Sequence, residues 1–371
     1  MAAPRPIRVI HARAPIRIND IGAWTDTWFA GRGKVLNVAV LPGVEVQIAA
    51  FPRRGRDGAR VTVHVENYEE TFRMDPGRPA TEPHGLLQFA VGSLPPGPEL
   101  DLDIRLYSCV PAGISTGTSA AVCVALLGGL NALRPAPLGW AGLARLAHRV
   151  ETDKLGQQSG IQDQIAAAHG GISYIEMARY PEARVSAVRV GPEIRSELDR
   201  RLCLVYMGAP HRSTDVHERV IAELEESGSL LQFNVLRRLT EVAAAARRAL
   251  ASGDLEAYGE AMIRNNECQR ALYAGLISAE ADAAADVARH HGASGWKVNG
   301  AGGRGGSLAI LAPGDDGLRR RMITALAALG RGIRVLPTSL ASRGVQAWES
   351  SAKDWRSRLS NLTKLDLGGP L

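Results

Sequence analysis

Alternating and β-branched apolar runs dominate the first half of the chain. Residues 7–10, 38–50, 59–66 and 100–106 read as strands. Between the second and third of these, Pro52-Arg53-Arg54-Gly55-Arg56-Asp57-Gly58 has the composition of a hairpin tip. Loops rich in proline and glycine follow at 75–85 and 92–98. Residues 118–133 are apolar on nearly every side, which predicts a buried helix. A second helix is expected over 138–155. Strand character returns around 181–192 and at 202–207. Residues 214–291 then read as a long helical region, broken at Gly228 and Gly253. A glycine-rich turn at 300–306, a strand at 307–311, a helix at 317–329 and a strand at 332–336 complete the pattern. The change from strand-rich to helix-rich chain places a domain boundary near 195, giving units 1–195 and 196–371.

Length supports two units, because 371 residues exceed the roughly 250–300 at which single cores stop growing. Apolar content of 45% and charged content of 22% are those of a globular protein and exclude a disordered or collagen-like chain. The longest apolar run, 120–130, falls short of the roughly 20 residues a membrane span needs. The N-terminus lacks the apolar stretch of a secretory signal. Cys109, Cys123, Cys203 and Cys268 are widely spaced without C-x-x-C, so buried thiols in a reducing cytoplasm are expected rather than a zinc site or disulfides. The 44 Lys and Arg exceed the 38 Asp and Glu by only six. With arginine scattered and only 5% aromatic residues, a nucleic-acid surface is not expected. A small anionic ligand fits the charge better.

Four segments carry chemistry. Pro111-Ala112-Gly113-Ile114-Ser115-Thr116-Gly117-Thr118-Ser119 lies between a strand and the buried helix. Gly113 and Gly117 permit positive φ, and the hydroxyls of Ser115, Thr116, Thr118 and Ser119 sit beside a helix N-terminus, which attracts anions. This is a phosphate cradle, although no G-x-x-x-x-G-K-[ST] is present. The same residues match the G-x-S-x-G elbow of a serine hydrolase, with Ser115 as nucleophile. The second segment, 300–305, matches G-x-G-x-x-G, but a strand follows where a dinucleotide site needs a helix. It is instead a turn that approaches a ligand or another backbone. In the third, Glu151 and Asp163 flank a loop containing Gly156, Ser159 and Gly160. They are either helix-end residues or a metal ligand and a base. The fourth bunches Arg17, Asp20, Trp24, Thr25 and Asp26 after a strand. The stretch is either a turn with surface charges or a sugar site, where carboxylates suit hydroxyls and the Trp suits an apolar sugar face.

Taken in order, A-P-x-R…G-x-x-T-D, P-x-G-x-x-x-G-T-S-A-A, E…S-G-x-Q-D-Q and K-x-x-G-A-G-G-x-G-G resemble the GHMP kinase superfamily over residues 12–311. Within it, 162–171 and 34–39 are similar to heptose 7-phosphate kinases, and 22–27 to fucokinase domains. The resemblance implies an α+β fold of two domains. The first is like ribosomal protein S5 domain 2 and the second is ferredoxin-like, with ATP and a sugar in the cleft between them. It also implies an ATP- and Mg²⁺-dependent phosphotransferase acting on the anomeric hydroxyl of a sugar or sugar phosphate.

Carried over by motif, Asp163 is the base and Arg17 the residue that holds the hydroxyl and offsets charge. Ser119, with Thr118, and Glu151 hold Mg²⁺. Pro111, Gly113, Ser115, Thr116 and Gly117 wrap the phosphates. Trp24, Thr25 and Asp26 bind the sugar, and Gly302 shapes the cleft from the other domain. Arg212, or Arg32 with Lys34, would meet a second phosphate. Two departures stand out: Ser115 replaces a usual Gly, and Asp20 replaces a usual apolar residue. The implied partner is a small sugar, with neither nucleic acid nor membrane, and a homodimer is compatible with the resemblance. A non-catalytic sensor on the same fold is the alternative.

Overall fold

The structure is a computed structural model. It describes residues 5–359 apart from 54, 56–58, 79–82, 211–212, 227–228, 331, 352–354 and 356. The first half contains β1 (Arg8–Ile21), β2 (Gly33–Pro52), β3 (Val61–Val65), β4 (Glu70–Met74), α1 (Gly85–Ser93), β5 (Leu100–Ser108), α2 (Thr118–Ala132), α3 (Trp140–Arg149), a π-helical turn at Val150–Lys154, α4 (Gln162–His169), β6 (Ile172–Arg179) and β7 (Glu182–Ala187). There follow α5 (Pro192–Arg201), β8 (Leu202–Met207), α6 (Ser213–Glu226), α7 (Ser229–Ser252), α8 (Leu255–Leu272), α9 (Ala279–His290), β9 (Gly295–Val298), β10 (Ser307–Leu311), α10 (Asp316–Ala328), β11 (Ile333–Leu336), β12 (Ser339–Leu340) and β13 (Gln346–Ser350).

The first sheet runs β13-β1-β2-β5-β3-β4, with β12 and β6 also on β2 and β7 on β6. β2 is its spine and changes partners along its length. Residues 33–38 pair with β6, 40–41 with β12, and 44–52 with β5. Pro42, which has no N–H to give a ladder, sits where the partner changes. The second sheet runs β11-β8-β10-β9 with every neighbour antiparallel. This is the strand order of a split βαβ, ferredoxin-like unit.

Several sequence expectations need correcting. The expected hairpin between 38–50 and 59–66 is absent, because β5 lies between β2 and β3 and runs parallel to β3. Its alternation of Leu102, Ile104 and Leu106 with polar residues lets one strand bury a face while pairing on both edges. The first strand extends to Ile21, so Arg17 and Asp20 lie in a strand, not in a turn after one. Residues 138–155 break into α3 and a π turn. The strands expected at 181–192 begin earlier, with β6 at Ile172, and Pro192 opens α5. Strands β1–β7 lie in the first sheet and β8–β11 in the second, while β12 and β13 return to the first.

Helix α2 is buried from Ala120 to Asn131 apart from Val122, as its all-round apolar sequence predicts. It packs on β1 and β2, with Gly129 allowing close approach to Ile48. All four cysteines are buried thiols with no disulfide between them. No helix among the described residues is long and apolar enough to cross a membrane.

A buried polar seam joins the sheets. Lys297 of β9 donates to Asp20 of β1 at 2.7 Å, and neither side chain is exposed to solvent. Asn19 N donates to Asn299 Oδ1 at 2.8 Å, and Asn19 Nδ2 donates to the Tyr258 hydroxyl at 2.7 Å. Gly22 N donates to Asn265 Oδ1 at 2.7 Å. Every partner is buried, so each bond is made in a medium where an unmade one is costly.

Candidate active site

The loop between β5 and α2 makes three left-handed turns, at Gly113 (φ 69°), Ser115 (φ 62°) and Gly117 (φ 68°). Glycine takes this conformation without penalty, whereas Ser115 pays roughly 1–2 kcal/mol for its Cβ. The loop is held from both sheets. Ser307 of β10 donates to Ile114 O at 2.6 Å, and the Arg17 guanidinium of β1 donates to Ser115 O. Gly300 packs against the same carbonyl, and a Cβ there would lie 2.8 Å from it. Gly117 caps α2, and a Cβ on it would come within 3.1 Å of the Asp163 carboxylate. Gly117→Ala is therefore expected to lose about 1–2 kcal/mol of stability through its φ and to lower turnover by displacing Asp163. Urea unfolding and phosphoryl-transfer assays would check the two effects separately.

Asp163 lies in the first turn of α4 and receives a two-pronged contact from Arg17. Arg17 Nε donates to Oδ1 at 2.8 Å and Nη2 to Oδ2 at 3.2 Å. Such a fork fixes the carboxylate's orientation as well as its charge. Burial works to lower the Arg17 pKa, but Asp163, Asp20 and Asp26 outweigh it and hold the guanidinium above its ordinary value.

Glu151 sits in the π turn, a distortion often found at functional sites. Ser119 Oγ donates to its Oε1 at 3.0 Å, Ser159 Oγ to its Oε2 at 3.1 Å, and Gln164 Nε2 also donates to Oε2. Burial first, then the charge of Asp163, pushes the Glu151 pKa up to about 7.

Asp26 accepts from Gln162 N at 3.1 Å. Burial, then Asp163, raises its pKa to about 6. Because the folded value lies above the unfolded one, Asp26 stabilises the fold most at low pH and loses that contribution as pH rises through about 6. Between pH 5 and pH 8 the wild type should thus lose on the order of 1 kcal/mol more stability than Asp26→Asn. Urea unfolding of the ligand-free proteins at both pH values would check this.

Arg17, Trp24, Asp26, Glu151 and Asp163 line one cavity of about 280 Å³ together with the loop residues Gly113, Ser115, Thr116, Gly117, Thr118 and Ser119. Other expected site residues lie elsewhere. The Thr25 hydroxyl is spent on the backbone, donating to Gly22 O at 2.7 Å and accepting from Lys34 N at 3.1 Å. Pro111 borders a separate groove with Pro42 and Arg334. Gly302 packs on Leu276, where a Cβ would sit 2.3 Å from the carbonyl, so it serves the second unit's backbone. Lys34 lies outside the cavity wall and pairs with Glu176 at 3.5 Å, and Arg32 is outside it too. Arg212 lies outside the described residues.

The sequence reading assigns no role to Lys297, Ser159 or Gln164. The Lys297 position was visible in K-x-x-G-A-G-G, but its partner, Asp20, is 277 residues away.

The donor set suits a magnesium–phosphate group. Among the described residues no three His, Cys, Asp or Glu side chains form a metal cage. One carboxylate (Glu151) and one hydroxyl (Ser119) beside an anion cradle is instead the arrangement Mg²⁺ uses when phosphates supply its remaining ligands. The 300–305 glycines lead into β10, not a helix, so they do not form a dinucleotide site.

Residues 86–171 match the family description "GHMP kinases N terminal domain". The chain is 27% identical over 327 residues to the bifunctional fucokinase/GDP-fucose pyrophosphorylase of Arabidopsis thaliana, covering 83% of this chain and 30% of that protein. It is 26% identical over 214 residues to the D-glycero-alpha-D-manno-heptose 7-phosphate kinase of Campylobacter jejuni, covering 58% of this chain and 62% of that one. The chain thus spans less than two thirds of either relative. The fold is similar to that of Lactococcus lactis galactokinase complexed with galactose. The TM-score is 0.71 at 19% identity, covering 92% of this chain and 95% of that one. The glycine-rich loop, the carboxylates that face it and these likenesses agree: residues 86–171 match a GHMP kinase N-terminal domain, and the chain around it is similar to GHMP kinases.

Proposed function

We propose that the chain is an ATP-dependent sugar kinase that phosphorylates the anomeric hydroxyl of a sugar or sugar phosphate, giving a sugar 1-phosphate. The observation that carries this reading is the Arg17–Asp163 fork, held 2.8–3.2 Å long in the same cavity as the phosphate loop. Asp163 accepts the proton of the attacking hydroxyl as its oxygen bonds to the γ-phosphorus. The bond from γ-phosphorus to the bridging oxygen breaks, and ADP leaves with that electron pair. Arg17 orients Asp163 and offsets charge developing beside the loop. The loop amides and the N-terminus of α2 cradle the phosphates. Mg²⁺, held by Ser119 and Glu151, would neutralise phosphate charge. The anomeric hydroxyl, rather than another, is favoured by the likeness to the heptose kinase and fucokinase sequences.

The test is ADP release from Mg·ATP across free sugars, 7-phosphorylated heptoses and uronic acids. One sugar giving turnover that Asp163→Asn loses would support the reading. Failure to bind ATP would end it.

A further inference from the structure

Gln157, Gln158, Ser159 and Gly160 form one wall of the cavity. They have no regular secondary structure, and among the described residues no backbone N–H of 158–160 reaches a carbonyl. Gln157 and Gln158 are exposed. Such a segment opens easily unless side chains tie it down. Two ties are present, and both meet at Ser159. Its Oγ donates to Glu151 Oε2 at 3.1 Å and accepts from Gln164 Nε2 at 3.2 Å. The hydroxyl is also 3.0 Å from Gly160 O, but a carboxylate is the stronger acceptor. The Ser159 carbonyl accepts from the Tyr180 hydroxyl at 2.9 Å.

Tyr180 lies in the turn between β6 and β7, outside the cavity lining. It is held at both ends. Its N–H donates to Gly31 O at 2.8 Å, and its hydroxyl lies 2.8 Å from Nε2 of His148, a buried residue of α3. The protons can be assigned. A tyrosine hydroxyl has one proton and a backbone carbonyl only accepts, so that proton goes to Ser159 O. His148 Nε2 then carries its own proton and donates to Tyr180. Burial holds His148 below its ordinary pKa and pushes Tyr180 up to about 12, so both groups are neutral at about pH 7. We propose that Tyr180, backed by His148, is a positioning residue for the metal site. It pins the Ser159 carbonyl, which keeps Ser159 Oγ on Glu151 Oε2 and leaves Glu151 Oε1 turned to Ser119. Groups that orient a metal ligand from behind typically carry roughly 10–100-fold in metal affinity. This deepens the kinase reading and rests on it for the Mg²⁺ that Ser119 and Glu151 would hold.

The experiment measures ADP binding to the full chain by calorimetry, once with Mg²⁺ and once with EDTA. The ratio of the two affinities is the gain that the metal confers. Tyr180→Phe keeps the ring edge-on to His148, at 5.5 Å between centroids, and deletes only the hydroxyl. It should reduce that gain about tenfold, with the affinity in EDTA within about twofold of wild type. A merely structural role would move both affinities alike or neither. Ser159→Ala should reduce the gain by a similar factor. Tyr180→Phe added to it should take no more than about twofold further, because the link to Glu151 is already cut. Should Tyr180→Phe fail to fold, His148→Leu is read in its place and should reduce the gain at least about threefold. A gain that the variant leaves unchanged, or that falls just as far again on the Ser159→Ala background, overturns the Tyr180 assignment and leaves the kinase standing. Loss of the gain in a chain that releases ADP with no sugar upholds Tyr180 and removes the kinase. A wild type whose ADP affinity Mg²⁺ does not raise overturns the assignment together with the metal site.

Discussion

Asp163→Asn is expected to lower turnover by at least about 10²-fold, the contribution typical of a positioned general base. The fold should survive the change. The Asp163 side chain is 26% exposed, and Asn retains an oxygen that can accept from Arg17 Nε. A pair with one partner partly in water contributes modestly, so the unfolding free energy should stay within about 1 kcal/mol of wild type. Arg17 also keeps its bond to Ser115 O and its neighbour Asp20 at 3.7 Å, so the loop between β5 and α2 remains anchored. ADP release under saturating Mg·ATP, paired with urea unfolding, reads both effects. Near wild-type turnover would remove Asp163 as the base. Lost turnover with a collapsed urea midpoint would show that it is a structural residue instead.

Why that prediction was within reach of the sequence, and others were not, has a physical explanation. The loop 111–119 could be read because its chemistry is local: the glycines, hydroxyls and following helix lie within a dozen residues. Asp163 and Glu151 flank one loop, so their convergence was also foreseeable. Arg17 and Asp20 looked like a polar turn because a strand with two buried charges breaks the expected alternation. The charges are tolerated because Lys297, Asp163, Gly300 and Ser115, from other parts of the chain, partner them. The insertion of β5 between β2 and β3, and the return of β12 and β13, are long-range pairings that no local pattern encodes. Thr25 misled for a different reason. It stands in a G-x-x-T-D pattern beside Asp26, but a side chain two bonds from the backbone can satisfy the turn it belongs to, and it does. Trp24 lines the cavity, but its ring is covered by His217 and Phe29, a packing that no local pattern encodes.

Asp20→Ala should be the most destabilising single change in the seam, costing roughly 3–5 kcal/mol. The residue departs from the apolar character its motif usually has, and its carboxylate does three things. It accepts from Lys297 Nζ at 2.7 Å, accepts from Gly300 N at 3.0 and 3.2 Å, and lies 3.7 Å from Arg17. Burial alone would raise its pKa, but Arg17 and Lys297 bring it below the ordinary carboxylate value. Burial lowers the pKa of Lys297, and Asp20 opposes that fall. Truncating Asp20 leaves an ammonium with no solvent exposure facing the Arg17 guanidinium, and Gly300 N without its acceptor. Replacing both members of a buried pair by apolar groups is far less costly than removing one. The double variant Asp20→Leu/Lys297→Met should therefore recover most of the lost stability. It should not recover turnover, because the Gly300 anchor beside Ser115 O and the counter-charge near Arg17 are both gone. Urea unfolding and ADP release on the two variants separate these roles. Turnover restored along with stability would mean that Asp20 serves the seam alone and that Arg17 is positioned by Asp163 and Ser115 without it.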